Sequence, residues 1–328
     1  MLQVHPTRRC NIACAHCYTS SGPTAREVLP LGLLSECLVE AYELGYRQLA
    51  VSGGEPMIYR PLPALLALGR ELGMVTTVTS NGMLLSPARW KPIADLVDVL
   101  AISIDGRPDE HDRIRGREGA FDRTVANLPT VRSSGTPFGF IFSLTQHNVD
   151  SLDFVVRLAA REGARSVQVH PLTLHGRAAE RMRGARPDGI ELEAALLGAA
   201  LLGHELGIAV HVDAVTAAQL LLHFDALVPL RPVRQIVDIA PVLVVDPAGR
   251  VIPMTHEISR SLWLGSLLDA PLGELVADWI AAGGGDVLAE SCEQTWAELT
   301  EGRSPHAVYW YDEVAARTRS RDRVLTLV

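Results

Sequence analysis

The chain has 328 residues, 48% of them apolar, which is enough to bury one large core or a core with a smaller satellite and argues against disorder. Lys and Arg total 30 against 38 Asp and Glu, and the net charge of -8 argues against a broad nucleic-acid-binding surface. The N-terminus has no signal-peptide pattern, and the most apolar run, Ala194–Gly203, is far shorter than the ~20 residues that span a bilayer. We therefore expect a cytoplasmic protein that binds neither nucleic acid nor membrane.

Short β-branched or apolar runs alternate with longer segments of helical periodicity, as in βα units around a parallel sheet. The predicted strands are Leu2–Val4, Gln48–Ser52, Val75–Ser80, Val97–Ile104, Phe138–Leu144 and Ser166–Leu172. The predicted helices are Leu31–Leu44, Pro61–Leu72, Pro87–Ala94, Phe121–Val131 and Ser151–Glu162. Six consecutive units predict an α/β fold, a partial (β/α)6 barrel of the TIM type.

The pattern changes after Gly176. Sequence containing Arg, Gly and Pro leads to the strongly helical segment Ile190–Leu206. Further on, Val242–Val245 and Arg250–Pro253 flank an Asp-Pro-Ala-Gly turn and predict a hairpin. We expect a barrel core over residues 1–185 and a smaller C-terminal α+β cap over 186–328, with the hairpin in the cap.

Three of the five cysteines, Cys10, Cys14 and Cys17, follow directly on the first strand. This clustering suits metal binding in a reducing compartment better than a disulfide framework. Three thiolates on a four-iron cubane leave one iron free to accept a small chelating molecule. The alternative is a zinc ion with a histidine as fourth ligand, although structural zinc sites usually draw on a second cysteine pair that this chain lacks. The candidate histidines are His5, His16 and His111.

Glycines and polar residues also end the next three strands. The second strand runs into Gly53, Gly54, Glu55 and Pro56. The two glycines allow the backbone to come close to a ligand, and Glu55 can accept hydrogen bonds from a cationic amine. Read alone, this segment is more typical of an ordinary turn.

The third strand ends in Ser80 and Asn81, and the fourth carries Ser103 and Asp105 on one face. A hydroxyl and a carboxylate on one face could bind a ribose diol. Both segments are equally typical of strands that run into polar loops.

Together these segments resemble the radical S-adenosylmethionine (SAM) superfamily, whose signature CxxxCxΦC has His16 at Φ here. The resemblance implies a reduced 4Fe–4S cluster that cleaves SAM to methionine and a 5′-deoxyadenosyl radical, which removes hydrogen from a substrate. It implies that Gly-Gly-Glu-Pro contacts the methionyl amine of SAM and that Ser80 and Asn81 lie beside its carboxylate. It also implies that Ser143 and Val169 line the ribose and adenine. His170, next to Val169, is as typical of a satisfied core residue as of a catalytic one.

The segments His111–Gly116 and Gly176–Ala178 resemble motifs of the SPASM branch of this superfamily. That branch places a cysteine after the hairpin proline and several more downstream, which hold auxiliary clusters. Here the residue is Met254, and Cys292 is the only later cysteine. We therefore predict a single cluster and a degenerate SPASM-like cap. Cys292 either donates a hydrogen atom to a substrate radical or is a buried apolar residue.

The SPASM-branch resemblance implies hydrogen abstraction from a ribosomally made peptide, followed by crosslinking, epimerisation or oxidation. Because only nine residues precede Cys10, we expect a separate leader-peptide-binding protein, and an external electron donor such as flavodoxin or ferredoxin. One alternative is a small metabolite as substrate, such as a nucleoside, sugar or tetrapyrrole. Another is a non-catalytic zinc- or cluster-binding protein.

Overall fold

The structure, a computed structural model, describes residues 1–301 and 307–325. The strands in this part of the chain are β1 (Leu2–Val4), β2 (Gln48–Val51), β3 (Val75–Ser80), β4 (Val99–Ser103), β5 (Phe138–Leu144), β6 (Ser166–Pro171), β7 (Ala209–Val212), β8 (Leu243–Val245), β9 (Arg250–Pro253) and β10 (Gly265–Ser266). The helices are α1 (Leu31–Glu43), α2 (Leu62–Glu71), α3 (Pro87–Trp90), α4 (Pro108–Arg115), α5 (Ala120–Ser134), α6 (Leu152–Glu162), α7 (Arg177–Arg181), α8 (Gly189–Leu206), α9 (Ala217–Leu222), α10 (Phe224–Leu227), α11 (Ile236–Ile239), α12 (Leu272–Ala281), α13 (Gly284–Glu301) and α14 (Trp310–Leu325).

Within the described residues the strands form one sheet in the order β10-β9-β8-β1-β2-β3-β4-β5-β6-β7. β1 to β7 run parallel, and β8 is parallel to β1 on its other side. The sheet does not close, since β7 and β10 form its two edges. The predicted partial barrel is therefore confirmed, and each of its six predicted strands is present with ends shifted by at most two residues.

Alternation along the strands separates two faces. Every second side chain is buried against the helices in one hydrophobic core, as are Val51, Val78, Ile102 and Phe142. We call this the outer face. The opposite, inner face carries smaller and more polar side chains, and many of them stay partly accessible.

Two features differ from the sequence-based expectation. β7 is a seventh parallel strand that we did not predict, a short run directly after α8 that pairs with β6. The predicted hairpin forms as β8 and β9, but it is not confined to a separate cap, because β8 pairs with β1 through Leu2 and Leu243. Backbone pairing with the edge of β1 thus continues the main sheet into the C-terminal region.

The division at residues 185/186 stays a prediction. Residues 302–306 and 326–328 of the predicted cap lie outside the described residues. Among the residues that the structure describes, no helix is both long and apolar enough to cross a bilayer.

Candidate functional site

The loop after β1 brings the three predicted cluster ligands to the carboxyl end of the sheet. Cys10 and Cys14 are each 8% exposed, and Cys17 is partly buried beside them. Each sulfur has its own hydrogen-bond donor. Asn81 Nδ2 points at Cys10 Sγ (3.7 Å), Arg115 Nη1 at Cys14 Sγ (3.9 Å), and the Ser21 N–H at Cys17 Sγ (3.3 Å). Such donors stabilise negative charge on sulfur, as cluster-bound thiolates require.

Two arginines fasten this loop to distant strands. Arg115, at the end of α4, forms an ion pair with Asp105, with 2.6 Å between Nε and Oδ2, while its Nη1 faces Cys14. Arg177, at the start of α7, donates to the carbonyl oxygens of Cys14 (2.8 Å) and Ser21 (2.7 Å). The sequence analysis names neither as a site residue, although both lie in the two segments that carry the SPASM resemblance. The arginine in each of these motifs is the signal that could have identified them.

The surroundings of the thiols fit an iron–sulfur cluster better than a zinc ion. Among the described residues, no three His, Cys, Asp or Glu side chains converge as a single ion would require. Each of the three candidate histidines has one ring nitrogen engaged elsewhere, although Nδ1 of His5 and of His16 has no hydrogen-bond partner among the described residues. His5 Nε2 bonds Gln3 (3.0 Å), His16 Nε2 faces Asp105 (3.4 Å), and His111 Nδ1 accepts the Asp105 N–H (3.1 Å).

Burial raises the pKa of Cys10 to about 12 and that of Cys14 to about 11. The two thiols therefore need a strong positive charge to ionise, and coordinated iron supplies one. Ile12, Met83 and Ala120 pack around them and keep the site dry. Cys10, Cys14 and Cys17 would hold the cluster through three of its irons.

The glycines of the Gly-Gly-Glu-Pro segment allow close packing against the cysteine loop. A Cβ on Gly54 would lie 2.1 Å from the Arg9 carbonyl oxygen, and Gly53 has a φ of +105°. The Gly54 N–H donates to Thr7 O (2.8 Å) and the Glu55 N–H to Arg9 O (2.9 Å). This close approach is to the backbone of the cysteine loop, and contact of Gly53 and Gly54 with a ligand stays a prediction. Pro56 follows as a buried first residue of a short 3-10 turn.

Glu55 carries the feature that fits a cationic ligand. Its side chain is fully buried and accepts hydrogen bonds from Ser80 Oγ (2.8 Å), the Asn81 N–H (2.9 Å) and the Met57 N–H (3.2 Å). Burial raises the pKa of this carboxyl. In the described part of the chain no lysine, arginine or histidine forms an ion pair with it. A buried carboxylate without an ion-pair partner in direct contact is suited to an ammonium such as the methionyl amine of SAM.

Asp105 differs from its predicted role as a ribose ligand. It is fully buried, its Oδ1 accepts the Ser143 N–H (3.0 Å), and its Oδ2 faces Arg115 and His16. Burial alone would raise the pKa of Asp105, but Arg115 and then His16 outweigh it and hold the pKa below its ordinary value. The carboxylate is therefore occupied by the protein and anchors the cysteine loop. Ser103, nearly buried two residues earlier, remains a predicted ribose contact.

The remaining predicted residues lie farther from the cysteines. Ser143 is on the inner face of β5, where a ligand can reach it. Val169 is fully buried on the outer face of β6, so its side chain cannot line an adenine site on the inner face. Cys292 is fully buried in α13, and burial raises its pKa to about 12. The thiol lies among the apolar residues of the main hydrophobic core, which favours the buried apolar interpretation.

The family assignment agrees with this geometry. Residues 4–159 match the model of the Radical SAM superfamily. This part of the chain is a radical SAM domain, and the cofactors of that superfamily are a 4Fe–4S cluster and SAM. The cysteine-poor SPASM-like character of the C-terminal region stays a prediction.

Two curated relatives illustrate the range of similar proteins. The chain is 33% identical over 196 residues to the PqqA peptide cyclase of Ruegeria pomeroyi, covering 58% of this chain and 51% of the relative. It is 29% identical over 173 residues to the Fe-coproporphyrin III synthase of Methanosarcina barkeri, covering 52% and 43%. The chain thus spans about half the length of these relatives.

Solved structures extend the likeness beyond the barrel. Streptococcus suis SuiB bound to the precursor peptide SuiA matches with a TM-score of 0.67 at 14% identity, over 84% of this chain and 63% of that one. The anSMEcpe structure with bound AdoMet and Cp18Cys peptide matches with a TM-score of 0.65 at 15% identity, over 99% and 98%. At such identities the likeness shows the fold alone.

Proposed function

We propose that this chain is a radical SAM enzyme that cleaves SAM reductively and abstracts a hydrogen atom from a peptide. The observation that carries the proposal is the pairing of three separately hydrogen-bonded thiols with a buried carboxylate, Glu55, that forms no ion pair within the described residues. When bound, the cluster supplies an electron to SAM, and the resulting 5′-deoxyadenosyl radical supplies the hydrogen-abstracting chemistry.

The chain's own residues bind and orient the cluster and SAM. Cys10, Cys14 and Cys17 hold the cluster, and Arg115 keeps Cys14 in place through Asp105. Glu55 receives the methionyl amine. Ser80 orients the Glu55 carboxylate by donating a hydrogen bond from its hydroxyl group. Ser80 is therefore a positioning residue here, whereas Asn81 holds Cys10 and Asn11.

Support for a peptide substrate comes from the relatives. PqqA peptide cyclases of several bacteria are among the similar curated proteins, and the fold matches SuiB in complex with a precursor peptide. Crosslinking, epimerisation and oxidation remain the candidate outcomes. A flavodoxin or ferredoxin as electron donor, a separate leader-peptide-binding protein and a cytoplasmic location stay predictions.

The test uses anaerobically reconstituted protein. It should bind about four irons per chain and form 5′-deoxyadenosine from SAM when dithionite is added. A peptide encoded beside this chain's gene should then change mass by a defined amount, and fragmentation should locate the change. Zinc in place of iron, or intact SAM after reduction, would contradict the proposal.

A small metabolite is the second candidate, because three other curated relatives are named Fe-coproporphyrin III synthase, pre-heme d1 synthase and AdoMet-dependent heme synthase. If this candidate is right, every peptide stays unchanged in mass, while a tetrapyrrole carboxylate increases 5′-deoxyadenosine formation and is itself consumed. Chromatography of both substrate classes in parallel reactions separates the two candidates.

A further inference from the structure

A hydrogen-bonded histidine and aspartate lie where β6 and β7 end, far along the sheet from the cysteine loop. His170 Nδ1 bonds Asp213 Oδ2, and Gln168 Nε2 donates to Asp213 Oδ1. Both oxygens of the aspartate are therefore held. We call His170 and Asp213 the dyad.

The dyad is on the inner face of the barrel and accessible. Strand pairing places His170 beside Ser143, and Asp213 follows β7 directly, with its N–H bonded to Val169 O at 3.1 Å. The His170 side chain is 39% exposed and that of Asp213 is 28% exposed. By contrast, His5 and His111 are almost completely buried.

The dyad also lies at the level of the cofactor residues. The Asp105 carboxylate accepts the Ser143 N–H, and Ser143 pairs with His170, so these residues follow one another across β4, β5 and β6. Adjacent strands lie about 4.8 Å apart, which separates His170 from the end of β4 by about 10 Å. A molecule on the inner face beside Ser143 is therefore within reach of His170.

The C-terminal segment supplies a wall beside the dyad. Val308 and Val215 exchange two backbone hydrogen bonds (2.8 and 2.9 Å), which brings Tyr309 to the Asp213 side of the barrel. Burial first, and then the negative charge of Asp213, raise the pKa of Tyr309. Its hydroxyl therefore stays protonated.

We propose that His170 is a proton-accepting residue that contacts the substrate and that Asp213 positions it. Because Asp213 accepts the hydrogen on Nδ1, the neutral ring presents the lone pair of Nε2 to the inner face. The ligand class is a polar X–H group of the substrate: an ammonium, hydroxyl or amide next to the carbon that loses hydrogen. The proton moves from X to Nε2, and the imidazolium formed is paired with the Asp213 carboxylate, so no electron is transferred in this step.

The first experiment needs no substrate. Diethylpyrocarbonate acylates unprotonated imidazole nitrogen, and peptide mass spectrometry of the anaerobic holoenzyme measures its reaction at each histidine. We expect His170 to react at least as fast as the exposed His204, while the buried His5 stays unmodified.

The Asp213→Asn variant tests which ring nitrogen of His170 carries the hydrogen. Gln168 donates to one oxygen of residue 213, so the carbonyl of the new amide keeps that bond and its NH2 faces Nδ1 of His170. The ring hydrogen then moves to Nε2, and labelling of His170 should fall about tenfold. Asp225→Asn, an exposed change in α10, should leave labelling unaltered. Equal labelling of His170 in the wild type and Asp213→Asn would overturn the proposal.

The second experiment rests on the proposed function. With the peptide encoded beside the gene, His170→Gln should lower peptide modification about 100-fold, while 5′-deoxyadenosine formed without peptide stays at the wild-type rate. A parallel fall in both rates would overturn the proposal, because the residue would then act on the cofactors or the fold. If wild-type protein modifies no peptide, the proposed function fails and the labelling result still decides the dyad.

Discussion

The two sides of the barrel mouth are built differently. One side, the cysteine edge, comprises the loop of residues 5–22 and the carboxyl ends of β2 to β4. Three of its charged groups, Glu55, Asp105 and Arg115, are buried. The other side, the open edge, comprises the ends of β6 and β7 and residues 307–312. There His170 and Asp213 remain partly exposed.

This difference separates two tasks. A buried charge is tolerated only when it is paired and hydrogen-bonded, so the residues of the cysteine edge hold one another in a single arrangement. On the open edge, the side chains of His170 and Asp213 keep surface that a ligand can contact. We infer that cofactor geometry is fixed on one side, while substrate recognition is left to the other.

The largest effect is expected from removing a cluster ligand. Cys14→Ala should abolish both iron binding and SAM cleavage, because two thiolates cannot retain the cubane. Iron analysis and chromatography of 5′-deoxyadenosine measure the two losses. Cys37→Ala is the matched control, a buried cysteine of α1 outside the site, and should keep about four irons per chain. Equal iron in both variants would show that the thiols of the cysteine edge are not ligands.

Gly54→Ala tests how tightly the cysteine loop is seated. The new methyl group would meet the Arg9 carbonyl oxygen at 2.1 Å, so the loop must move. We expect a loss of about 4 kcal/mol of folding free energy, measured by urea denaturation, together with a lower iron content. Gly32→Ala, in α1 with nothing within 4 Å, should change neither.

Arg115→Met tests the buried ion pair. It leaves the fully buried Asp105 carboxylate without its main partner and should lower the free energy of unfolding by about 3 kcal/mol. Adding Asp105→Asn should recover part of that loss, because it removes the uncompensated charge. Arg113→Met, an exposed change on the same helix, is the control. Equal free energies of unfolding for Arg115→Met and Arg113→Met would mean that the Arg115–Asp105 pair does not stabilise the cysteine edge.

The open edge should show a smaller, pH-dependent effect at Asp312, the residue that pairs with Arg186 at 3.0 Å. Burial raises the pKa of Asp312 to about 7. The folded state therefore binds more protons than the unfolded state between pH 4 and 7, and stability falls as pH rises through this range. Between pH 5.5 and pH 8.5, deprotonation of Asp312 should lower the free energy of unfolding by about 2 kcal/mol.

Urea denaturation at the two pH values measures the Asp312 effect. Asp312→Asn should remove this part of the pH dependence, whereas the exposed control Asp225→Asn should keep it. If wild type and Asp312→Asn lose the same stability on going to pH 8.5, the buried-carboxyl explanation is wrong.

Much of the cysteine edge could be predicted because its parts are local. A strand followed at once by CxxxCxxC, and glycines or amides at the next strand ends, are visible in short windows. What these residues contact was not visible. Gly54 proved to accommodate Arg9, and Asp105 to pair with Arg115, because both contacts join separate segments of the chain.

The open edge was hardly predictable. β7 is short and follows a helix directly, so its few apolar residues gave no periodic signal, and Asp213 had no motif around it. His170 and Asp213 are 43 residues apart and meet only because β6 and β7 pair in register.

The amino-acid sequence by itself determined the repeating βα pattern and the three clustered thiols, because periodicity and ligand spacing are properties of neighbouring residues. Only the tertiary structure decided which polar groups the protein satisfies internally and which it leaves for a ligand. That balance depends on burial and on partners from distant strands, and both arise when the sheet assembles.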